Sequence, residues 1–160
     1  MSEPLVFMMG EFEAEFPVDR WYVKNHMWAQ PHPEESAEGR FRFGFSAYAV
    51  RLLQDVYFLD WSTDAPTQLN VGQQIGSIES KKAESDLFAP AAGGLRQYND
   101  ELLDDPSAIN VDKYGRGWLF EMQCEPSTVQ EWRLTPEEYL EHLGDVWEIT
   151  QKTIKGQING

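Results

Sequence analysis

The sequence predicts a mainly β chain with a short crossing helix and a C-terminal helix. Three observations carry this expectation: an alternating aromatic run over residues 41–47, two strand-like runs parted only by Lys81 and Lys82, and a helix-start signature at residues 135–138. A length of 160 residues suits one domain, since domains commonly use roughly 100–200 residues. Apolar residues make up 41% of the chain and include six Trp and nine Phe, enough large side chains to fill a core.

In chain order, Pro31 and Pro33 introduce residues 34–39, which read as an exposed loop. Phe41, Phe43 and Phe45 then alternate with Arg42, Gly44 and Ser46, the period of two expected where one strand face is buried. Residues 47–53 contain neither Gly nor Pro and suit a short helix that carries the chain across the sheet, with the next strand at residues 56–59. Beyond Val71 and Gly72, residues 75–80 and 83–89 form a tight hairpin. Neither lysine between them favours φ > 0, so the residues do not specify a turn type, and something other than turn propensity placed lysine there. Near the C-terminus Thr135 caps a helix, Pro136 suits its first position, and Glu138 completes a capping box. Leu140, Leu143, Trp147 and Ile154 follow at helical spacing, Gly144 weakens the middle, and Gly156 is the expected stop. That stripe is either core or a docking face.

A formal charge of −14 opposes phosphate backbones and anionic headgroups, so neither nucleic acid nor a membrane is an expected partner. The same field steers the protein toward basic clefts, or simply solvates its surface. Cys124 is the single cysteine, which excludes an internal disulfide and matches a reducing, cytoplasmic setting. Residues 1–16 carry Glu3, Glu11, Glu13 and Glu15 where a secretory leader would be basic, and no stretch approaches membrane-spanning length.

The chemistry is concentrated in Glu79-Ser80-Lys81-Lys82-Ala83-Glu84-Ser85-Asp86, followed by Ala89-Pro90-Ala91-Ala92-Gly93-Gly94. A lysine on a hairpin tip is exposed, mobile at its end and held in place by two paired strands, as an attachment point visited by several enzymes must be. The octet resembles the lipoylation site of the glycine cleavage H-protein family, in which the lysine follows Glu-Ser plus one residue and precedes Ala, a variable residue, Ser and Asp. The resemblance runs through Tyr22 to His26 and Trp28 as the family's opening strand, Tyr48-Ala49 in its short crossing, and Asp55-Val56-Tyr57-Phe58-Leu59-Asp60 in the strand after it. It continues through Asn99, Leu102, Pro106, Ile109-Asn110, Tyr114-Gly115 and Gly117-Trp118, and spans about residues 16–143.

What the resemblance implies is a lipoyl-domain-like hybrid barrel-sandwich, one carrier domain over residues 1–160 with an extension at each end, and no catalysis of its own. It implies covalent lipoate on Lys82, with Glu79, Ser80, Ala83 and Asp86 forming the recognition surroundings and Asp86 lining the resting site of the arm. The implied partners are a lipoate ligase or lipoyl transferase, a pyridoxal-phosphate glycine decarboxylase, a tetrahydrofolate-dependent aminomethyltransferase and dihydrolipoyl dehydrogenase. The cargo is an aminomethyl group. Lys81 is the rival attachment point, since neighbouring side chains on a hairpin point to opposite sides and a ligase reading local shape takes one; family register selects Lys82. Biotin carriers of similar fold set their lysine between methionines, which do not flank Lys82.

Four positions depart from the family pattern. Met27 stands where an acidic residue contacts the aminomethyl nitrogen, and a thioether cannot pair with an ammonium as a carboxylate does. Ala47 replaces a common aspartate, Leu52 a histidine of some members, and Gln54 a usual glycine. These changes keep two other carriers in view, the lipoate-binding proteins of sulfur oxidation and a lipoyl relay, and, in another class, an unmodified binding module. His26, His32 and His142 lack metal-ligand spacing, Asp104 and Asp105 read as a solvated acidic face, and neither a Ser-His-Asp order nor a phosphate-cradling glycine loop is present.

Overall fold

Burial along β5 (Arg40–Phe45) begins with the period of two written in its sequence: Phe41 and Phe43 are buried and Arg42 between them faces solvent. The structure, a computed structural model, describes residues 3–34 and 38–159, with side chains as far as Gln151. β5 is an inner strand of a six-stranded antiparallel sheet. In spatial order this sheet holds β3 (Trp21–Val23), β4 (Met27–Pro31), β5, β11 (Phe120–Gln123), β10 (Gly93–Tyr98) and β7 (Thr67–Leu69). A three-stranded sheet holds β6 (Val56–Trp61), β8 (Gln74–Ser80) and β9 (Glu84–Phe88), and a separate hairpin joins β1 (Leu5–Met9) to β2 (Phe12–Phe16). The mainly β expectation is met.

One apolar cluster joins the two larger sheets, with Phe43, Phe120, Ile75, Ile78 and Leu95 each at most 1% exposed. Phe43 stacks on Phe120 at 5.5 Å, and Trp132, from the helix α4 (Pro126–Trp132), lies 5.5 Å from Phe43. Trp28 covers Gly44 on the next strand, where a Cβ would stand 2.5 Å from the indole ring, so only glycine allows this stacking.

The crossing helix α1 spans Ala47–Leu53, as its residues predict. Its exit requires an unusual backbone: Gln54 sits at φ 59 and ψ −141, a region costly for a residue with a Cβ, which is the physical reason glycine suits this corner. Asn110, inside the short helix α3 (Ala108–Val111) that follows α2 (Glu101–Asp104), staples the corner. Its Nδ2 donates to Gln54 O at 2.6 Å, and its Oδ1 accepts from Val56 N at 2.9 Å. Gln54→Gly is expected to stabilise the protein by about 1 kcal/mol, the strain relieved exceeding the entropy a glycine adds to the unfolded chain. Thermal unfolding checks it as a Tm rise of roughly 2–4 °C.

The C-terminal helix α5 (Pro136–Asn159) opens on the predicted capping box: Thr135 N donates to Glu138 Oε1 at 2.9 Å and Glu138 N to Thr135 Oγ1 at 3.1 Å. Hydrogen bonding to the carboxyl from the Thr135 main chain, and then from its side chain, holds Glu138 below the usual carboxylate range. Leu143 is buried, and Leu140 and Trp147 pack in a second apolar cluster, so this stripe is core rather than a docking face; the side chain of Ile154 lies outside the described residues. That cluster gathers Met9, Ala14 and Phe16 from the N-terminal hairpin, Ala47 and Tyr48 from α1, and Tyr139 from α5.

Several expectations need correction. Residues 22–28 form a hairpin, not one opening strand: β3 ends at Val23 and the chain turns through His26, at φ 70, before β4. The left-handed conformation of His26 is uncommon for a residue with a Cβ, which is why the turn is not legible from its neighbours. β5 stops at Phe45, and Ala47 belongs to α1. Neither Gly144 nor Gly156 interrupts α5, which continues to Asn159, because a glycine costs a helix only about 1 kcal/mol. Part of the loop at residues 34–39 lies outside the described residues, while Glu34 and Glu38 are exposed as expected.

Candidate functional site

β8 and β9 pair in the register Glu79↔Glu84, Ile78↔Ser85 and Ser77↔Asp86, which leaves Lys81 and Lys82 exposed at the tip. Neither lysine has positive φ, so the hairpin does not use the primed turns favoured in two-residue loops. The side chain of Ser80 closes it instead. Ser80 N donates to Ala83 O at 2.8 Å, as in any tight hairpin, but the return bond runs from Ala83 N to Ser80 Oγ at 3.2 Å. Ser80 Oγ also donates to Ala83 O at 3.1 Å. The hydroxyl thereby satisfies a main-chain donor that the non-primed turn would orphan. Ser80 is 5% exposed, and Ala83 packs against the first apolar cluster, so the base of the turn is rigid.

A second tie fixes the tip against the crossing. Lys81 N donates to Asp55 O at 2.8 Å, one residue from the corner stapled by Asn110. Asp55, Gln54 and Asn110 therefore position the lysine turn, a role that no local pattern announces because the bond from Asn110 to Gln54 joins residues 56 positions apart. Among the described residues Lys82 makes neither a hydrogen bond nor an ion pair, and its amine is uncommitted.

Next to the turn, Glu79 and Glu84 face each other. Hydrogen bonding with Glu84, then desolvation and the charge of Glu84, raises the Glu79 carboxyl above the ordinary range. With Ser77, Ile78, Ser85 and Asp86 they line a shallow groove of about 310 Å³ that starts at the turn. β6 approaches β8 closely here: a Cβ on Gly76 would collide with the main-chain oxygen of Asp60, so glycine is needed for the pairing that supports the hairpin.

The departures from the family pattern have structural settings. Met27 is 2% exposed inside the first apolar cluster, opposite Phe45. Ala47 and Leu52 belong to the second cluster, where Phe7, Val146 and Trp147 also pack, so the two chain ends cover this face of the crossing with apolar surface.

The other candidate residues stand apart from the turn. His26 Nδ1 hydrogen-bonds the Tyr139 hydroxyl at 2.9 Å, and that hydroxyl reaches Ser46 Oγ at 2.8 Å. Burial, and then the nearby charge of His142, lowers the pKa of His26 to about 4, which keeps it neutral and structural near pH 7. His32 accepts from Glu34 N in its own turn, and among the described residues no group of three His, Cys, Asp or Glu could hold a metal. Asp104 and Asp105 are exposed, and Asp105 accepts from Ser107. Cys124 is buried, and burial pushes its thiol up to about 11, well away from nucleophilic character. No described helix is long and apolar enough to cross a membrane.

Comparison with known proteins agrees with this geometry. The model of the family described as glycine cleavage H-protein matches residues 20–146. A glycine cleavage system H protein of Mycolicibacterium vanbaalenii is 34% identical over 135 residues, covering 82% of this chain and 99% of its own. One from Alteromonas mediterranea is 34% identical over 126 residues, covering 79% and 94%. A crystal structure of a glycine cleavage system H protein from Mycobacterium marinum superposes with a TM-score of 0.66 at 35% identity, covering 81% of this chain and 98% of that one. The hairpin β1–β2 and the end of α5 lie outside the matched residues.

Proposed function

The chain belongs to the glycine cleavage H-protein family, and from that premise we propose that it is a lipoyl carrier loaded through an amide on Lys82. The observation that supports this reading is an uncommitted, exposed lysine on a hairpin whose base is clamped by Ser80 and tied to Asp55. A residue free at its amine and rigid at its backbone suits both a ligase that must recognise one position and enzymes that must find the arm afterwards. Acylation would remove the charge of Lys82, and the groove lined by Glu79, Glu84 and Asp86 lies where a tethered arm can rest. When attached, the lipoyl group supplies a strained disulfide able to accept a carbon-linked group or electrons through thiol exchange.

In this reading Lys82 holds the arm, Ser80 and Ala83 shape the turn that a lipoate ligase or lipoyl transferase reads, and Glu79 and Asp86 present acidic groups beside it. A tether raises the effective concentration of cargo at each docked enzyme, so reach replaces tight binding. The enzymes are the pyridoxal-phosphate glycine decarboxylase, the aminomethyltransferase and dihydrolipoyl dehydrogenase, and the carrier catalyses no step. Residues 1–160 act as one carrier domain in a reducing cytoplasm, where the buried, unpaired Cys124 is at no disadvantage.

The test is intact mass after co-expression with a lipoate ligase: a lipoyl increment is expected, and a chain that stays bare would instead be an unmodified binding module. A second reading, a carrier of sulfur rather than of an aminomethyl group, rests on the apolar burial of Met27 where the family uses a carboxylate. Reconstituted glycine decarboxylation with this chain as the only carrier separates the two, since robust turnover removes the sulfur reading.

A further inference from the structure

The outer face of the six-stranded sheet carries a second charged cluster, on a different sheet from the lysine turn. On β11 the Glu121 side chain is 5% exposed beneath three guanidiniums, with Arg40 Nε 3.5 Å and Arg96 Nε 3.7 Å from Oε1 and Arg42 Nε 4.0 Å from Oε2. Gln97 Nε2 adds a hydrogen bond to Oε2 at 3.3 Å. Three cations around one carboxylate leave a local positive excess in a chain of net charge −14.

Balancing one buried carboxylate takes one guanidinium, so neutralising Glu121 does not account for the other two. Among the described residues none of the three donates a hydrogen bond, and Arg40 Nε is buried with no acceptor. A guanidinium carries five N–H donors in a planar fork that matches a carboxylate. The Arg42 guanidinium already sits 4.3 Å over the Trp118 ring, and Arg42 and Arg96 remain 47% and 46% exposed. Their unspent donors therefore face solvent in a partly fixed geometry.

Arg42 and Gln97 pair directly with Glu121 from either side, so the cluster spans three adjacent strands, about 10 Å across. This is an open sheet face and not the enclosed concavity of a small-molecule site. We propose that it docks a carboxylate-rich segment of another protein, with Arg42 and Arg96 taking the segment's carboxylates and Glu121 holding the guanidiniums in position. The groove beside Arg96, lined by Pro66, Thr67, Gln68, Gly94 and Gln123 and about 390 Å³ in volume, contains no acidic residue. The groove beside Arg42 holds Arg116 together with Asp100 and Glu101, so its charges balance and it attracts such a segment less than the Arg96 side does. The bound chain therefore runs over the Arg96 side, toward the edge strand β7.

The docking does not rest on modification of Lys82, and its test is independent of it. The isotope-labelled full chain is titrated with an octaglutamate peptide and, separately, with citrate and with phosphate, following backbone amide shifts. The peptide is expected to shift the amides of Gln68, Arg42, Arg96 and Glu121, to lose its effect in about 0.5 M salt, and to bind about tenfold more weakly to Arg42→Gln/Arg96→Gln. Lys82→Arg should bind it unchanged. Absence of shifts on this face overturns the proposal, as does undiminished binding by the double variant. Citrate or phosphate saturating the same amides at the peptide's own concentration also overturns it, by identifying a small-anion site. Should the double variant lose its dispersed spectrum, Arg96→Gln alone must still weaken the peptide about threefold, and no weakening again counts against docking.

Discussion

Lys82→Arg is expected to abolish the lipoyl mass increment completely, while Lys81→Arg keeps it in full. Both substitutions preserve the positive charge and the length of an exposed side chain at the same turn, so a change in folding or surface charge cannot separate them. The difference is chemical: a guanidinium stays protonated at every accessible pH and does not form the amide that an amine forms with an activated carboxyl. The turn is held through main-chain atoms and Ser80, with Lys81 N bonded to Asp55 O, and both variants retain those bonds. Intact mass of each purified chain after co-expression with a ligase reads the result. An increment on Lys82→Arg, or its loss from Lys81→Arg alone, would move the attachment point or remove it.

Tyr139→Ala is expected to destabilise the protein by about 5 kcal/mol. Tyr139 is wholly buried, stacks on Tyr22 at 4.8 Å with an interplanar angle of 4°, and meets Phe16 edge-on at 5.6 Å. Losing a buried aromatic ring costs roughly 3–5 kcal/mol. The change also orphans Ser46 Oγ, on a residue with 0% exposure, and His26 Nδ1, which adds about 1–3 kcal/mol. Tm should fall by roughly 10–20 °C, and Tyr139→Phe, which removes only the hydroxyl, should lose about 1–3 kcal/mol. Because burial is the main cause of the low pKa of His26, the alanine variant should also move that pKa from about 4 back toward 6.5, which ring-proton NMR shifts record. A Tm within a degree or two of wild type would show that the second apolar cluster does not depend on α5 docking.

Local order made much of this architecture legible. Alternation at Phe41, Phe43 and Phe45, the breaker-free run that becomes α1, and the reciprocal box between Thr135 and Glu138 are each decided within a few residues, where side-chain period and capping chemistry act. Where local signals competed with tertiary contacts they failed. The hairpin β1–β2 is not legible in a stretch read only for its glutamates, yet Met9, Ala14 and Phe16 are drawn into a cluster completed by α5. The turn at His26 depends on a left-handed residue supported by Tyr139, 113 positions away.

By itself, the sequence determined the alternation of β5, the run that becomes α1 and the capped start of α5, that a lysine pair would stand at a hairpin apex, and which family pattern surrounds it. Only the tertiary structure decided which atoms hold that apex, why Ala47 and Leu52 are apolar, that Gln54 occupies a corner better suited to glycine, and that three arginines would converge on Glu121. The physical reason is separation: short-range preferences are set by each residue's own backbone and its near neighbours, whereas these arrangements come from groups far apart in the chain that meet only when the sheets, the crossing and the C-terminal helix bury one another's surfaces.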